Sequence, residues 1–306
     1  MRTKQIVSGT AALALSALLF TACNNENDPT PAISSKYVTI IPTVTGEVIT
    51  KASNSYGQTG DQLYLYYNTA GNTATGQYAD FRYDGAIWDL GADKMKWATI
   101  HAAAAATGSI PFYATAPVAA PTTAKVETNQ STADKYKNSD LLVAYTSIAK
   151  AASDDKYTAL SLDLKHALAK LTIEVNATAI DNPVIKSVTI KDAIADYTVT
   201  YNGSDLTPAT TTVSGSNKVN IKPLADRSVF SAVLPVQTIQ DVNGITIVIE
   251  VGNATFTYKP ATAINLIQGK NTTLKLRLNG EGVILGDVSV SDWGTGDIKN
   301  DNITAD

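Results

Sequence analysis

The feature that most constrains this chain is an alternation of apolar and polar residues, held in nearly all of a series of short runs along its length. Examples are "QLYLYY" (62–67), "ALSLDL" (159–164), "KLTIEV" (170–175), "IKSVTI" (185–190), "YTVTY" (197–201), "SVFSAVL" (228–234), "GITIVIEV" (244–251), "ATFTYKP" (254–260) and "TTLKLRL" (272–278). A period of two sends successive side chains to opposite faces, so each run reads as a strand with one buried and one wet face. Threonine, valine, isoleucine and tyrosine fill these runs and turn residues separate them. The pattern implies an all-β chain of many short strands, and two packed sheets per domain bury one face of each most economically.

Few segments depart from this pattern. "ATIHAAAAAT" (98–107) is either a short helix by alanine propensity or a low-complexity loop, and "ADKYKNSDLLVAYTSI" (133–148) combines a helical turn with a strand. Asp181-Asn182-Pro183 breaks two strong strand runs, so a domain boundary is expected there, with domains at 37–180 and 181–306.

The N-terminal end has its own logic. Arg2 and Lys4 precede the apolar run "IVSGTAALALSALLF", which ends in "TAC". A charged start, a short apolar stretch and small residues before a cysteine read as a secretory signal, residues 1–22. Cys23 is the single cysteine, which excludes an internal disulfide framework, and it stands where a bacterial lipoprotein carries its lipid. "LFTAC" resembles a lipobox with Phe20 in place of the more usual Leu. Acyl chains on Cys23 would hold the protein to outer-membrane lipid, because each buried methylene contributes about 0.8 kcal/mol. Residues 23–36 then read as a tether, with Glu26 and Asp28 resembling weakly the acidic signals that send some lipoproteins to the outer surface.

Composition excludes several classes. Charged residues make up 17% of the chain, net charge is −4 and no basic cluster occurs, so nucleic acid is not an expected partner. The two histidines, His101 and His166, lie far apart in sequence, and no spacing typical of a zinc or calcium site, nucleophile elbow or phosphate loop occurs. No metal, cofactor or catalytic residue is expected, and an enzyme is the least supported class. His166 in "LKHALAKL" reads as a packed or hydrogen-bonded residue, and Asp154-Asp155 as a solvated pair. Trp88 and Trp97 are the aromatic candidates for a glycan-binding surface, although tryptophans in all-β proteins more often close a core.

Several stretches together resemble the fimbrillin family, the lipoprotein-derived pilus subunits of Bacteroidales that build type V pili. They are "SDLLVAYTSIAKAASDDKYTALSLDLKHALAKLTIEV" (139–175), "IPFYATAP" (110–117), "FSAVLPVQTI" (230–239), "LIQGKNTTLKLRL" (266–278) and "VSVSDW" (288–293), in the family's order, together with the lipobox and "TKASNSYGQTGDQLYLYY". The resemblance implies two tandem β-sandwich domains of transthyretin-like type in a surface lipoprotein. It also implies cleavage by a trypsin-like extracellular protease after a basic residue, removing the lipidated end with the first strand. Here that residue is Lys51, followed by Ala52, where the family more often has Arg.

The sequence around Lys51 gives such a cut a physical meaning. In "VTIIPTVTGEVITKAS" (38–53) every second residue from Val38 to Val48 is apolar or small: Val38, Ile40, Pro42, Val44, Gly46, Val48. One strand of that length would span about 35 Å. Burying its five large side chains would contribute roughly 8–15 kcal/mol, as much as the net stability of a typical domain. Pro42 suits an edge strand, since it has no N–H to donate. Loss of segment 37–50 would open a sheet edge that only another strand can fill. The expected donor is the C-terminal segment 283–306 of another subunit, with Val283, Leu285, Val288, Val290 and Trp293 as its apolar side chains. The leading expectation is therefore a fimbrial stalk or tip subunit that polymerises with other fimbrillin subunits and serves adhesion and biofilm formation. The alternatives are a pilus anchor, which keeps its lipid and first strand, a surface glycan-binding lipoprotein and, third, an exported hydrolase.

Overall fold

The alternating runs become strands in the computed structural model, which describes residues 36–44, 47–48, 59–67, 77–91, 94–104, 108–119, 123–181, 183–200, 210–240 and 244–293. The strands of the first half are β1 (Ile40–Val44), β2 (Glu47–Val48), β3 (Gln62–Tyr67), β4 (Gln77–Tyr83), β5 (Trp88–Leu90), β6 (Ser109–Ala116), β7 (Thr123–Lys125), β8 (Leu142–Ala149) and β9 (Leu160–His166). All except β7 form one sheet in the order β2-β1-β9-β8-β6-β3-β4-β5. It is continuous between β8 and β9 only through Leu142↔His166 and Val143↔Lys165. The sheet curls at that short junction. Ile40, Leu160, Leu162 and Leu164 thereby share one core with Leu63, Leu65, Phe81, Ile110 and Phe112. Alternation is strict in β9, where Leu160, Leu162, Leu164 and His166 are buried and the residues between them are exposed.

Two helices accompany this half. The alanine-rich run forms α1 (Trp97–Ala103), whose Trp97 and Ile100 enter the first core. The second is α2 (Ala133–Ser139), capped by the Thr132 hydroxyl, which accepts from Lys135 N, with Asp134 in its first turn. Both cap features favour a helix start.

The second half contributes β10 (Ala169–Asn176), β11 (Ile185–Ile194), β12 (Asp196–Thr200), β13 (Thr210–Val213), β14 (Lys218–Ile221), β15 (Leu224–Asp226), β16 (Val229–Leu234), β17 (Thr238–Ile239), β18 (Thr246–Val251), β19 (Ala254–Tyr258), β20 (Ile264–Asn265), β21 (Lys270–Asn279) and β22 (Gly282–Asp292). A five-stranded sheet, β15-β16-β10-β21-β22, packs on a four-stranded sheet, β14-β11-β18-β19. Leu171, Ile173, Leu274 and Leu276 from the first meet Val188, Ile190, Ile247 and Ile249 from the second. The chain is thus all-β, with two cores, and the second is a sandwich.

The change of core does not fall at Asp181–Pro183, where the sequence breaks. It falls between β9 and β10, because Ala167, Leu168 and Ala169 are fully buried in the second core. The apolar run "HALAKL" carries the chain straight across, so no polar turn marks the passage. The two halves also interleave: β7 pairs with β12, and Val126 and Leu141 belong to the second core. Lys137 of α2 pairs in turn with Asp61, just ahead of β3.

Gln130 ties this interleaved segment to the sandwich. Its fully buried amide donates to Val233 O at 2.9 Å and accepts from Val233 N at 2.8 Å, copying a strand partner along β16. It also donates to Glu127 O at 3.0 Å. Gln130→Ala leaves a buried backbone N–H and C=O without these bonds and is expected to lower the unfolding free energy by about 2–3 kcal/mol in urea denaturation.

Candidate functional site: two edge strands and the junction between them

β1 lies parallel to β9, in the register Ile40↔Leu160 through Val44↔Leu164. Leu160 N donates to Thr39 O at 2.9 Å, so the odd-numbered residues of β1 turn their polar groups to β9 and Pro42 turns its nitrogen away. The approach to β1 is held on another element, by Val38 N to Met95 O at 3.0 Å and Trp97 N to Lys36 O at 3.2 Å. Lys36 and Lys94 stand over the Tyr37 ring at 5.9 and 5.5 Å. Val38 and Ile40 are buried at 0% and 7% exposure, Pro42 is buried, Val44 is half-buried against the core, and Ile41 points outward at 53%.

The alternating stretch is not one strand. β1 ends at Val44, and β2 returns antiparallel, pairing Val44↔Glu47 and Thr43↔Val48. Val48 therefore belongs to a different strand from Val38, Ile40, Pro42 and Val44. The period-two pattern conceals this change of direction between Val44 and Glu47. Lys51, Ala52 and Cys23 lie outside the described residues.

Among the described residues, β1 is the only strand paired with β9 along Leu160–Leu164; β8 meets β9 only beyond that stretch, at Lys165 and His166. Taking β1 away would strand five residues of β9 with buried leucines and unpaired backbone groups.

The second edge is β22. It pairs antiparallel with β21 from Lys270↔Asp292 to Asn279↔Gly282, at the border of its sheet. Gly286 is the extra residue of a bulge between Lys275↔Asp287 and Leu276↔Leu285, and a Cβ there would sit 3.2 Å from Lys275 O. Because of that bulge, Val283, Leu285, Val288 and Val290 all oppose buried residues of β21: Leu278, Leu276, Leu274 and Thr272. They share the core-facing side, yet Leu285 is 38% and Val290 49% exposed, while Val283 and Val288 pack on the core rim. β22 thus overhangs the sandwich.

Past β22, Trp293 is buried. Its N–H donates to Gly269 O at 3.1 Å, and its ring lies on the His166 imidazole at 3.9 Å between centroids and 5° between planes. His166 Nδ1 is 2.9 Å from both carboxylate oxygens of Asp140. Burial, followed by the Asp140 charge, pushes the nearby Tyr197 phenol up. The removable-strand residues and the donor residues therefore do not meet, but Trp293 touches the last residue of β9. Neither the Asp140 pair nor the Trp293 stack carries a local sequence signal.

The aromatic candidates for glycan binding are placed otherwise. Trp97 is buried and stacked on Tyr157 at 4.3 Å, and half-buried Trp88 leans on Tyr83 at 5.3 Å. A cross-strand row, Tyr66-Tyr113-Tyr145, exists, but Tyr66 and Tyr113 are 5% and 6% exposed and offer no open platform. His101 Nδ1 lies 3.1 Å from the Tyr157 hydroxyl. No cluster of three metal-ligating side chains, and no helix long and apolar enough to cross a membrane, occurs among the described residues.

A profile of the fimbrillin-like family matches residues 50–293, and the chain belongs to that family of fimbrial structural subunits. Its fold is similar to that of two solved cell-adhesion candidates. The one from Bacteroides uniformis has a TM-score of 0.61 and 16% identity, over 84% of this chain and 98% of that one. The one from Bacteroides ovatus has a TM-score of 0.61 and 15% identity, over 86% and 99%. No curated protein sequence matches the chain.

Ile40→Ala is expected to lower stability by about 2–4 kcal/mol, since it empties part of a packed core. Ile41→Ala, one residue on but solvent-facing, is expected to change it by less than about 0.5 kcal/mol. Urea denaturation of the pair checks whether the inward face of β1 carries the load.

Proposed function

We propose that this chain is a stalk or tip subunit of a surface fimbrium, exported by residues 1–22, lipidated at Cys23 and tethered to the outer membrane through residues 23–36. A trypsin-like extracellular protease cuts between Lys51 and Ala52, and the segment carrying β1 leaves. A second copy, or another fimbrial subunit, then places its C-terminal segment, beginning at Val283, along Leu160–Leu164. The filament so formed serves adhesion. Family membership supports the structural role and the surface location, and the observation that carries the mechanism is the dependence of Leu160–Leu164 on β1.

The energetics agree with such an exchange. Val38, Ile40 and Pro42 together contribute roughly 4–9 kcal/mol by burial, a large part of a typical domain's net stability. A groove stripped of them cannot stay empty, and the exposed backbone of β9 would select a strand as its occupant. Val283 with Leu285 and Val288 with Val290 form two alternating apolar pairs that an incoming strand can bury, brought to one side by the bulge at Gly286, and their exposure leaves them only partly committed to their own core.

Limited trypsin digestion of the chain without residues 1–22 tests this. The expected result is a new N-terminus at Ala52 by intact mass and a ladder of heat-labile, detergent-resistant oligomers on an unboiled gel, both lost in Lys51→Ala. Cleavage that leaves only monomer, or a resistant Lys51, contradicts the reading and points to an anchor subunit.

A further inference from the structure

We propose that β1 and the chain's own C-terminal segment are coupled: the presence of β1 keeps Trp293 docked, and its departure releases the segment for donation. The inference rests on the proposed strand exchange and adds the order of events. It makes a subunit a competent donor only after it has become an acceptor.

The coupling path is short and continuous. β1 holds β9 through the pairs ending at Val44↔Leu164, two residues before His166. His166 is buried, with its Nδ1 on Asp140 and one ring face covered by the parallel indole of Trp293. Gly269 closes the path on the backbone side. Its N–H donates to Leu168 O at 2.8 Å, and its carbonyl accepts from Trp293 N. Its φ of +68°, which glycine adopts readily, puts it against the backbone of His166, where a Cβ would lie 3.4 Å from His166 O. Trp293 therefore carries the β21–β22 ladder one residue further, to Gly269, and lays its ring on the β9–β10 junction.

The rest of the C-terminal edge is held by its backbone, ten residue pairs to β21, more than by its side chains, none of which is fully buried between Gly282 and Asp292. Leu285 and Val290 are well exposed, and the ladder to β21 is interrupted at Gly286. Burying Trp293 is thus the main side-chain anchor at the end of an overhanging strand. When β9 loses its partner along Leu160–Leu164, His166 keeps its ties to β8 and Asp140 and its buried neighbour Ala167, whose N–H donates to Leu141 O and whose carbonyl accepts from the Thr211 hydroxyl, but loses the ladder that orders the strand leading into it. A shift of that ring removes the surface on which Trp293 lies. Because coupling is reciprocal, a docked Trp293 also favours retention of β1. Unprocessed subunits are thereby kept from donating, which guards against assembly before the cut.

The test uses the full chain with a site for a sequence-specific protease inserted directly after Lys51, so that release of β1 does not depend on the natural cut. Gel filtration and mass confirm loss of the N-terminal fragment in a monomeric sample. Hydrogen–deuterium exchange is then followed in peptides covering 160–166 and 288–293. At least tenfold faster exchange in both is expected, and a synthetic peptide of residues 36–48 should restore protection to both. His166→Gln keeps a hydrogen bond for Asp140 but removes the stacking ring, and Trp293→Leu keeps apolar bulk. In either variant 288–293 should exchange fast whether or not β1 is present. Faster exchange in 160–166 with 288–293 unchanged overturns the coupling and leaves the acceptor groove standing. No change in 160–166 overturns both.

Discussion

The parallel ladder between β1 and β9 is the interaction on which the first core depends. A strand buried on one face needs its backbone paired on at least one edge, and for Leu160–Leu164 the described residues offer β1 alone. The same three leucines are the floor of the core that Leu63, Phe81 and Phe112 cover from the other layer. One short strand, bordered only by the two-residue β2, thus satisfies both the hydrogen bonding and the packing of its neighbour. A parallel pair usually requires a long crossover, and here the crossover is almost the whole first half of the chain, from Val44 to Leu160.

The second sandwich has the opposite character at its border. β21 is interior and well packed, whereas β22 leaves Leu285 and Val290 well exposed and sets Val283 and Val288 only at the core rim. Exposed edges of this length are usually blunted by charges, prolines or covering elements. β22 has a bulge at Gly286 and Asp287 and Asp292 on its length, but keeps Val283, Leu285, Val288 and Val290 on one side. In the proposed function, this is a strand that has a second place to go. Trp293 lies on His166, the last residue of β9, and in the proposed coupling the two borders belong to one device.

Much of this was legible in sequence because period-two patterning is local. β3, β9, β10, β16 and β21 lie where alternation places them, and α1 agrees with alanine propensity. Alternation fails where the backbone changes direction without changing pattern. Val48 matches Val38 in phase, yet lies on the antiparallel return strand, opposite Thr43. Ala167-Leu168-Ala169 continues the apolar run of β9 while passing into another core. The inward orientation of Val288 and Val290 depends on a single bulged glycine, and the contact of Trp293 with His166 joins residues far apart in the chain. Those are tertiary facts, set by what packs against what, and no window of sequence contains them.

In the proposed exchange, the place beside Leu160–Leu164 passes from the chain's own β1 to a strand of another subunit. Electron cryo-microscopy of filaments assembled from the cut protein tests this most directly, by tracing which chain occupies that position. The expected result is density continuous with the C-terminal segment of a neighbouring subunit, with residues 40–44 of the same chain gone. Filaments in which β1 still pairs with β9, or in which the neighbour contacts some other surface, would contradict the exchange.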